Sequence, residues 1–255
     1  MTLSLISGST AFTRLIGVDV PFGERLLAGN VCGGTVRDTK RSVLRTLMPS
    51  SFKNTPTVKD SSIACPVTNG LRLPIPLPAD GWTIISVIRN HKRPIGTVLP
   101  VVADFAPGTR GPSFIDGSGL AIMGAFAQLS VVSVYHGAAG ITQGARVSIE
   151  AQDGGVPSFM AATVASIESR AHAGMSGELI SATAPLSGRD SVGWVGKPLY
   201  VGTDARPIGG PAVDNAYAPE VYLSLVYAPL STFEVSQVYN WAREFILQRT
   251  GLQLG

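Results

Sequence analysis

The feature that most constrains this chain is apolar alternation with a period of two, confined to short runs bounded by glycine and proline. Residues 82–90, WTIISVIRN, follow Pro78, Asp80 and Gly81 and are dense in Ile and Val. GTVLPVVADF follows Pro94 and Gly96, QLSVVSVYHG ends at Gly137, and ARVSIEAQDGG closes on an Asp-Gly-Gly turn suited to positive φ. PLYVGTD and EVYLSLVYAPL supply two more runs. Period two sends alternate side chains to opposite faces of an extended chain. Six or more such runs with regular turn signals therefore predict a mainly β, antiparallel sandwich. Pro100 inside its run predicts an edge strand or a bulge. The two runs separated by AAGITQG predict an antiparallel hairpin.

One helix is signalled, over residues 231–249. Ser231 and Glu234 stand at capping-box spacing, and Val235, Val238, Ala242, Phe245 and Ile246 recur on one face. Arg243 and Arg249 suit the negative end of the helix dipole, and Gly251 suits the C-terminal cap. This helix should dock against a sheet. Residues 1–65 read instead as an irregular arm, interrupted by Gly29, Gly33 and Gly34, with a short helix through RDTKRSVLRTLM. The sandwich then occupies residues 66–255.

Charge is uneven along the chain. The first 60 residues carry eight Lys/Arg against four Asp/Glu, and the rest is close to neutral, giving +3 overall. Arg37, Lys40, Arg41 and Arg45 carry much of the excess, with Lys53 and Lys59. No aromatic interleaving or nucleic-acid motif accompanies them, so a solvated or subunit-facing segment is expected rather than a nucleic-acid surface. Cys32 and Cys65 lack metal-like spacing and are expected as buried free thiols, ahead of a disulfide. No run approaches a membrane span and no signal-peptide pattern opens the chain, so no membrane partner is expected.

Three segments resemble the concanavalin A-like, laminin G-like jelly-roll superfamily, in the variants found in bacteriophage and prophage structural proteins. They are LRLPIPLPADGWTIISVIR, KPLYVGTDARPIGGPAVDNAYAPEVYLSLVYAPLS and STFEVSQVYNWAREFILQRTGL. The resemblance brackets residues 70–252 and implies a jelly-roll fold. It also implies a virion component (tail, baseplate, fibre or head decoration) that assembles with other virion proteins and with copies of itself. The arm, with Leu5 and Phe12 among its apolar residues, would attach it.

The chemistry that can be read is sparse. Glycoside hydrolases on this fold resemble one another in a Glu-x-Asp-x-x-Glu strand motif, because one carboxylate attacks while another protonates. That run is absent, and Glu150 with Asp153 reads as a turn, so the chain is expected not to be an enzyme. The resemblance points to Asp204, Asp214 and Asn215 as candidate calcium ligands, each equally suited to a turn. The alternative function is a carbohydrate-binding adhesion module for a host-surface glycan. Its candidate stacking residues are Trp194, between Gly193 and Gly196, and Tyr217. Trp82 and Trp241 are expected in packing roles. His91, His136 and His172 have no recognisable nucleophile partner.

Overall fold

The computed structural model describes residues 19–35, 39, 51–52, 57–65, 70–89, 98–104, 106–107, 115–116, 118–125, 128–137, 140–150, 156–175, 177–186, 199–202 and 220–255. Among these, the chain is mainly β, with antiparallel sheets and one C-terminal helix. The larger sheet runs β15 (Glu178–Pro185), β14 (Glu168–Met175), β13 (Pro157–Val164), β6 (Trp82–Arg89), β17 (Glu220–Tyr227), β4 (Ile63–Ala64) and β3 (Thr57–Val58). The strand β1 (Leu26–Val31) also pairs with β17. The smaller sheet runs β12 (Gly140–Glu150), β11 (Gln128–Gly137), β10 (Gly119–Ala125), β7 (Val98–Ala103), β16 (Leu199–Gly202), β5 (Gly70–Leu73) and β2 (Ser51–Phe52). A separate two-stranded ribbon joins β8 (Ala106–Pro107) to β9 (Ile115–Asp116). The helix α1 spans Thr232–Thr250.

The two large sheets share one core. Trp82, Ile84, Ile88, Met160, Ala162 and Val226 from the larger sheet meet Leu71, Val102, Leu120, Ile122, Val147 and Val201 from the smaller. The opposite face of the larger sheet presents Ile85, Val87, Phe159, Ala161, Leu225 and Tyr227 to α1, which buries Val235, Val238, Tyr239, Ala242 and Ile246 against them. A strand covered on both faces has no solvent side, so β6 and β17 read as nearly unbroken apolar runs. The helix caps are as the spacing predicts. Ser231 Oγ accepts from the Glu234 amide, the Glu234 carboxylate accepts from the Ser231 amide, and Gly251 closes the other end at φ 72°.

Several expectations are refined. The hairpin of β11 and β12 needs only residues 138–139 between its strands, because most of AAGITQG lies in β12; a register shift between Val132 and Val134 absorbs the extra residue. Pro100 is not on an edge strand. It lies in β7, between β10 and β16, where the ladder to β10 shifts by one residue and β16 pairs only with Val102 and Ala103. Residues before position 65 also contribute strands to the larger sheet. The strand β1 is almost wholly buried and pairs with β17 from Leu26↔Tyr227 to Val31↔Leu223, while β3 and β4 extend the same sheet. Leu26, Ala28 and Val31 are buried in the core. The short helix expected in RDTKRSVLRTLM lies outside the described residues except Thr39.

Candidate functional site

Strand directions place several chain connections at one end of both large sheets. Arg89, the last residue of β6, pairs with Pro157, the first of β13, and with Glu220, the first of β17. Gly202 at the end of β16 pairs with Gly70, and Glu150 at the end of β12 pairs with Gln128. The connections 90–97, 151–155 and 203–219 therefore all depart from this end. Leu199, by contrast, pairs with Leu73, and the Leu186 amide donates to Ile167 O; both lie at the opposite end.

At the connection-rich end, four side chains gather around one carboxylate. Glu220 opens a largely apolar strand and is buried on the helix side of the larger sheet, the side of Tyr222. Ser62 Oγ donates to its Oε1 at 2.5 Å, Lys59 Nζ donates to Oε2 at 2.9 Å, and Arg89 Nη1 lies 3.6 Å from Oε2. Tyr222 OH lies 3.4 Å from Oε1, and the Arg89 guanidinium stands 5.9 Å from the centre of the Tyr222 ring. The tip of the β3–β4 hairpin supplies Lys59 and Ser62. It is seated by Gly33, at φ 105°, where a methyl would overlap the Ser61 and Ser62 backbone.

Burial alone would push the Glu220 carboxyl up, but the Ser62 hydroxyl, the Lys59 ammonium and Arg89 outweigh it and hold the group below the ordinary carboxylate range. Burial, aided by that neighbouring negative charge, pushes the Tyr222 phenol up to about 12. The result is an ionised carboxylate and a neutral phenol flanked by two cations, of which Lys59 is half exposed. Such a cluster can present directed hydrogen bonds to a polar ligand.

A second titratable pair lies inside the larger sheet. His172 Nδ1 is 2.7 Å from Ser181 Oγ, and its Nε2 is buried without a hydrogen-bond partner. Burial, with Arg170 nearby, pushes this imidazole down to about 4. Among the described residues the ring's side-chain partner is Ser181 and no carboxylate hydrogen-bonds it, and an imidazole held neutral by burial is a weak base. The pair is a packing feature. Along the outer flank of α1, Asn240, Arg243, Glu244, Leu247, Gln253 and Leu254 line an open depression of about 460 Å3.

The candidate ligands read from sequence, Trp194, Tyr217, Asp204, Asp214 and Asn215, lie outside the described residues, as do Leu5, Phe12, Arg37, Lys40, Arg41 and Arg45. The strand ends that flank Tyr217 are Gly202 and Glu220, at the connection-rich end; those that flank Trp194, Leu186 and Leu199, are at the other. Trp82 is core, and Trp241 stacks on Phe245 with ring centres 5.0 Å apart. Among the described residues no group of three His, Cys, Asp or Glu is placed to hold a metal ion, and no helix is long and apolar enough to cross a membrane. Sequence reasoning missed the Glu220 cluster. Its one local signal is a carboxylate heading an apolar strand.

No family model and no curated protein matches the chain. Solved structures do. A Trypanosoma rangeli sialidase in complex with a difluoro-KDN matches with a TM-score of 0.56 at 11% identity, over 94% of this chain and 38% of that one. The enzymatically active domain of tailspike protein 2 from bacteriophage CBA120 matches with a TM-score of 0.50 at 16% identity, over 83% of this chain and 35% of that one. This chain thus spans little more than a third of either protein. The exoplasmic domain of VIP36 matches at 13% identity, over 80% of this chain and 92% of that one, with a TM-score of 0.46, too distant to carry a conclusion.

These matches correct the expectation that the chain is not an enzyme: its fold is one that sialidase chains and a tailspike's enzymatically active domain contain. The missing Glu-x-Asp-x-x-Glu run excluded only one placement of carboxylates on one strand. The chain shares its fold with parts of sialidase and phage tailspike chains.

Proposed function

We propose that this chain is a jelly-roll, concanavalin A-like module of a bacteriophage virion protein, and that it engages a host-surface glycan at the connection-rich end of its sheets. The observation that supports the reading is the fold shared with a phage tailspike domain and with sialidases, one of them solved in complex with sialic acid. The Glu220 cluster adds suitable chemistry: a fixed acceptor, two cations and a phenol beside the connection that bears Tyr217. A polyhydroxylated, acidic sugar would meet donors in Lys59 and Arg89 and an acceptor in Glu220. In this reading the neighbours of the module are other virion proteins and further copies of itself.

Binding of the full chain to an array of sialosides and bacterial surface polysaccharides tests the proposal. Saturable binding to one glycan class is expected, weakened about tenfold or more by Lys59→Ala or Tyr217→Ala and unchanged by Trp194→Ala. Mass spectrometry of the bound glycan in the same experiment reads out any turnover. Binding to no glycan, or binding indifferent to both loop-end substitutions, would overturn the reading.

A further inference from the structure

The two flanks of the molecule are built differently. On one, the sheets end in β3 and β2, each two residues long. On the other they end in β15 and β12, of eight and eleven residues, and neither has an outer partner among the described residues. The β14–β15 ladder runs from Glu168↔Pro185 to Met175↔Glu178 without a register shift, so no bulge interrupts β15. Its exposed side chains are Glu178, Ile180, Ser181, Thr183 and Pro185.

Soluble proteins blunt such an edge with lysines, a bulge, an interior proline or a short strand. In ELISATAP the one charge is at the first position and the one proline at the last, leaving six small or apolar neutral residues between them. We infer that the outer edge of β15 pairs antiparallel with β15 of a second copy of this chain, joining the two larger sheets across a two-fold axis. The orientation follows from charge. Antiparallel pairing carries the two Glu178 carboxylates to opposite ends of the seam, whereas parallel pairing stacks them. A two-fold axis also closes the contact, so the pairing stops at a dimer.

The size of the flank sets the strength. Strands of this length extend about 26 Å and 36 Å, and the two sheets lie about 10 Å apart. The footprint is on the order of 500 Å2 per chain, below the roughly 800 Å2 of a standard stable interface. The dimer is therefore reversible and depends on concentration. This inference does not rest on glycan binding.

Light scattering on the full chain from roughly 5 to 200 µM tests it. The mass is expected to rise from that of the 26.6 kDa chain toward twice that value. Ile180→Lys and Thr183→Lys, both at exposed edge positions, should each weaken the dimer at least about tenfold. Gln237→Lys on the exposed face of α1 should leave it unchanged, and all three variants should melt with the unmodified protein. In the unmodified chain, amide exchange at residues 178–185 should slow as concentration rises. A chain that stays monomeric over the whole range, with exchange at β15 independent of concentration, overturns the inference. So does a dimer that both edge lysines leave intact.

Discussion

His172 and Ser181 stand directly opposite each other on β14 and β15, joined by a 2.7 Å contact between Nδ1 and Oγ, with the rest of the imidazole buried beneath α1. The folded protein holds this ring neutral down to about pH 4, whereas the unfolded chain protonates it near 6.5. Between those values the unfolded state binds more protons, so stability falls as pH drops through this window, by on the order of 3 kcal/mol in total. Urea unfolding between pH 7 and pH 4 measures it. His172→Gln should flatten the slope, and an unchanged slope would assign the acid sensitivity elsewhere.

Gly174 lies against the ring of Tyr239, so closely that an added methyl would overlap the ring atoms. The ring is packed on its other sides, with Phe159 edge-on at 5.1 Å and the Arg243 guanidinium 5.6 Å from its centre. Gly174→Ala should cost about 1–3 kcal/mol. In a Tyr239→Leu background the same substitution should cost markedly less, and equal costs in the two backgrounds would show that the contact is not the cause.

The start of α1 is held by the reciprocal Ser231–Glu234 bonds and by Arg25, whose guanidinium pairs with the Glu234 carboxylate. Burial raises this carboxyl, but the Ser231 bonds and Arg25 outweigh it and hold it below its ordinary range. Ser231→Ala should lower stability by about 1 kcal/mol, with Thr at the same position recovering most of it. Thermal melts of the two variants give the comparison.

Cys32 and Cys65 are both free and buried in the core between the sheets. Burial pushes the Cys32 thiol up to about 12, against a weaker lowering by Arg249, and pushes Cys65 up further, so neither supplies thiolate at neutral pH. A thiol reagent at pH 8 should leave the folded chain unlabelled and modify two groups once it is unfolded in denaturant. Rapid labelling of the native chain would contradict the packing.

What could be read from sequence divides along physical lines. WTIISVIRN is legible because β-branched residues concentrate in one bounded run, and the helix because its caps and its apolar spacing agree. The strands β13, β14 and β15 are not, since PSFMAATV, ESRAHAGM and ELISATAP contain mostly small residues of low β propensity. Small side chains are what the middle layer requires: Ala161 lies beneath α1, while Ala162, Ala171 and Ala173 face the other sheet. Packing between layers, absent from local pattern, decides them. β1 is hidden for a similar reason, because Gly29 and Asn30 break its pattern while the sheet buries both. The Glu220 cluster draws Lys59, Ser62, Arg89 and Tyr222 from separate parts of the chain. Only strand order brings them together.

The central place of β17 has a consequence for how the chain comes to be folded. This one strand, near the C-terminal end, completes β6 on one side and both β1 and β4 on the other. During synthesis, β1 emerges roughly ten seconds or more before its partner does at ordinary elongation rates. Until then β1 has no mate and β6 is paired only on its β13 side, so the larger sheet closes as a late, long-range event. Folding should accordingly be slow, and the nascent chain most prone to aggregate just before Glu220 leaves the ribosome.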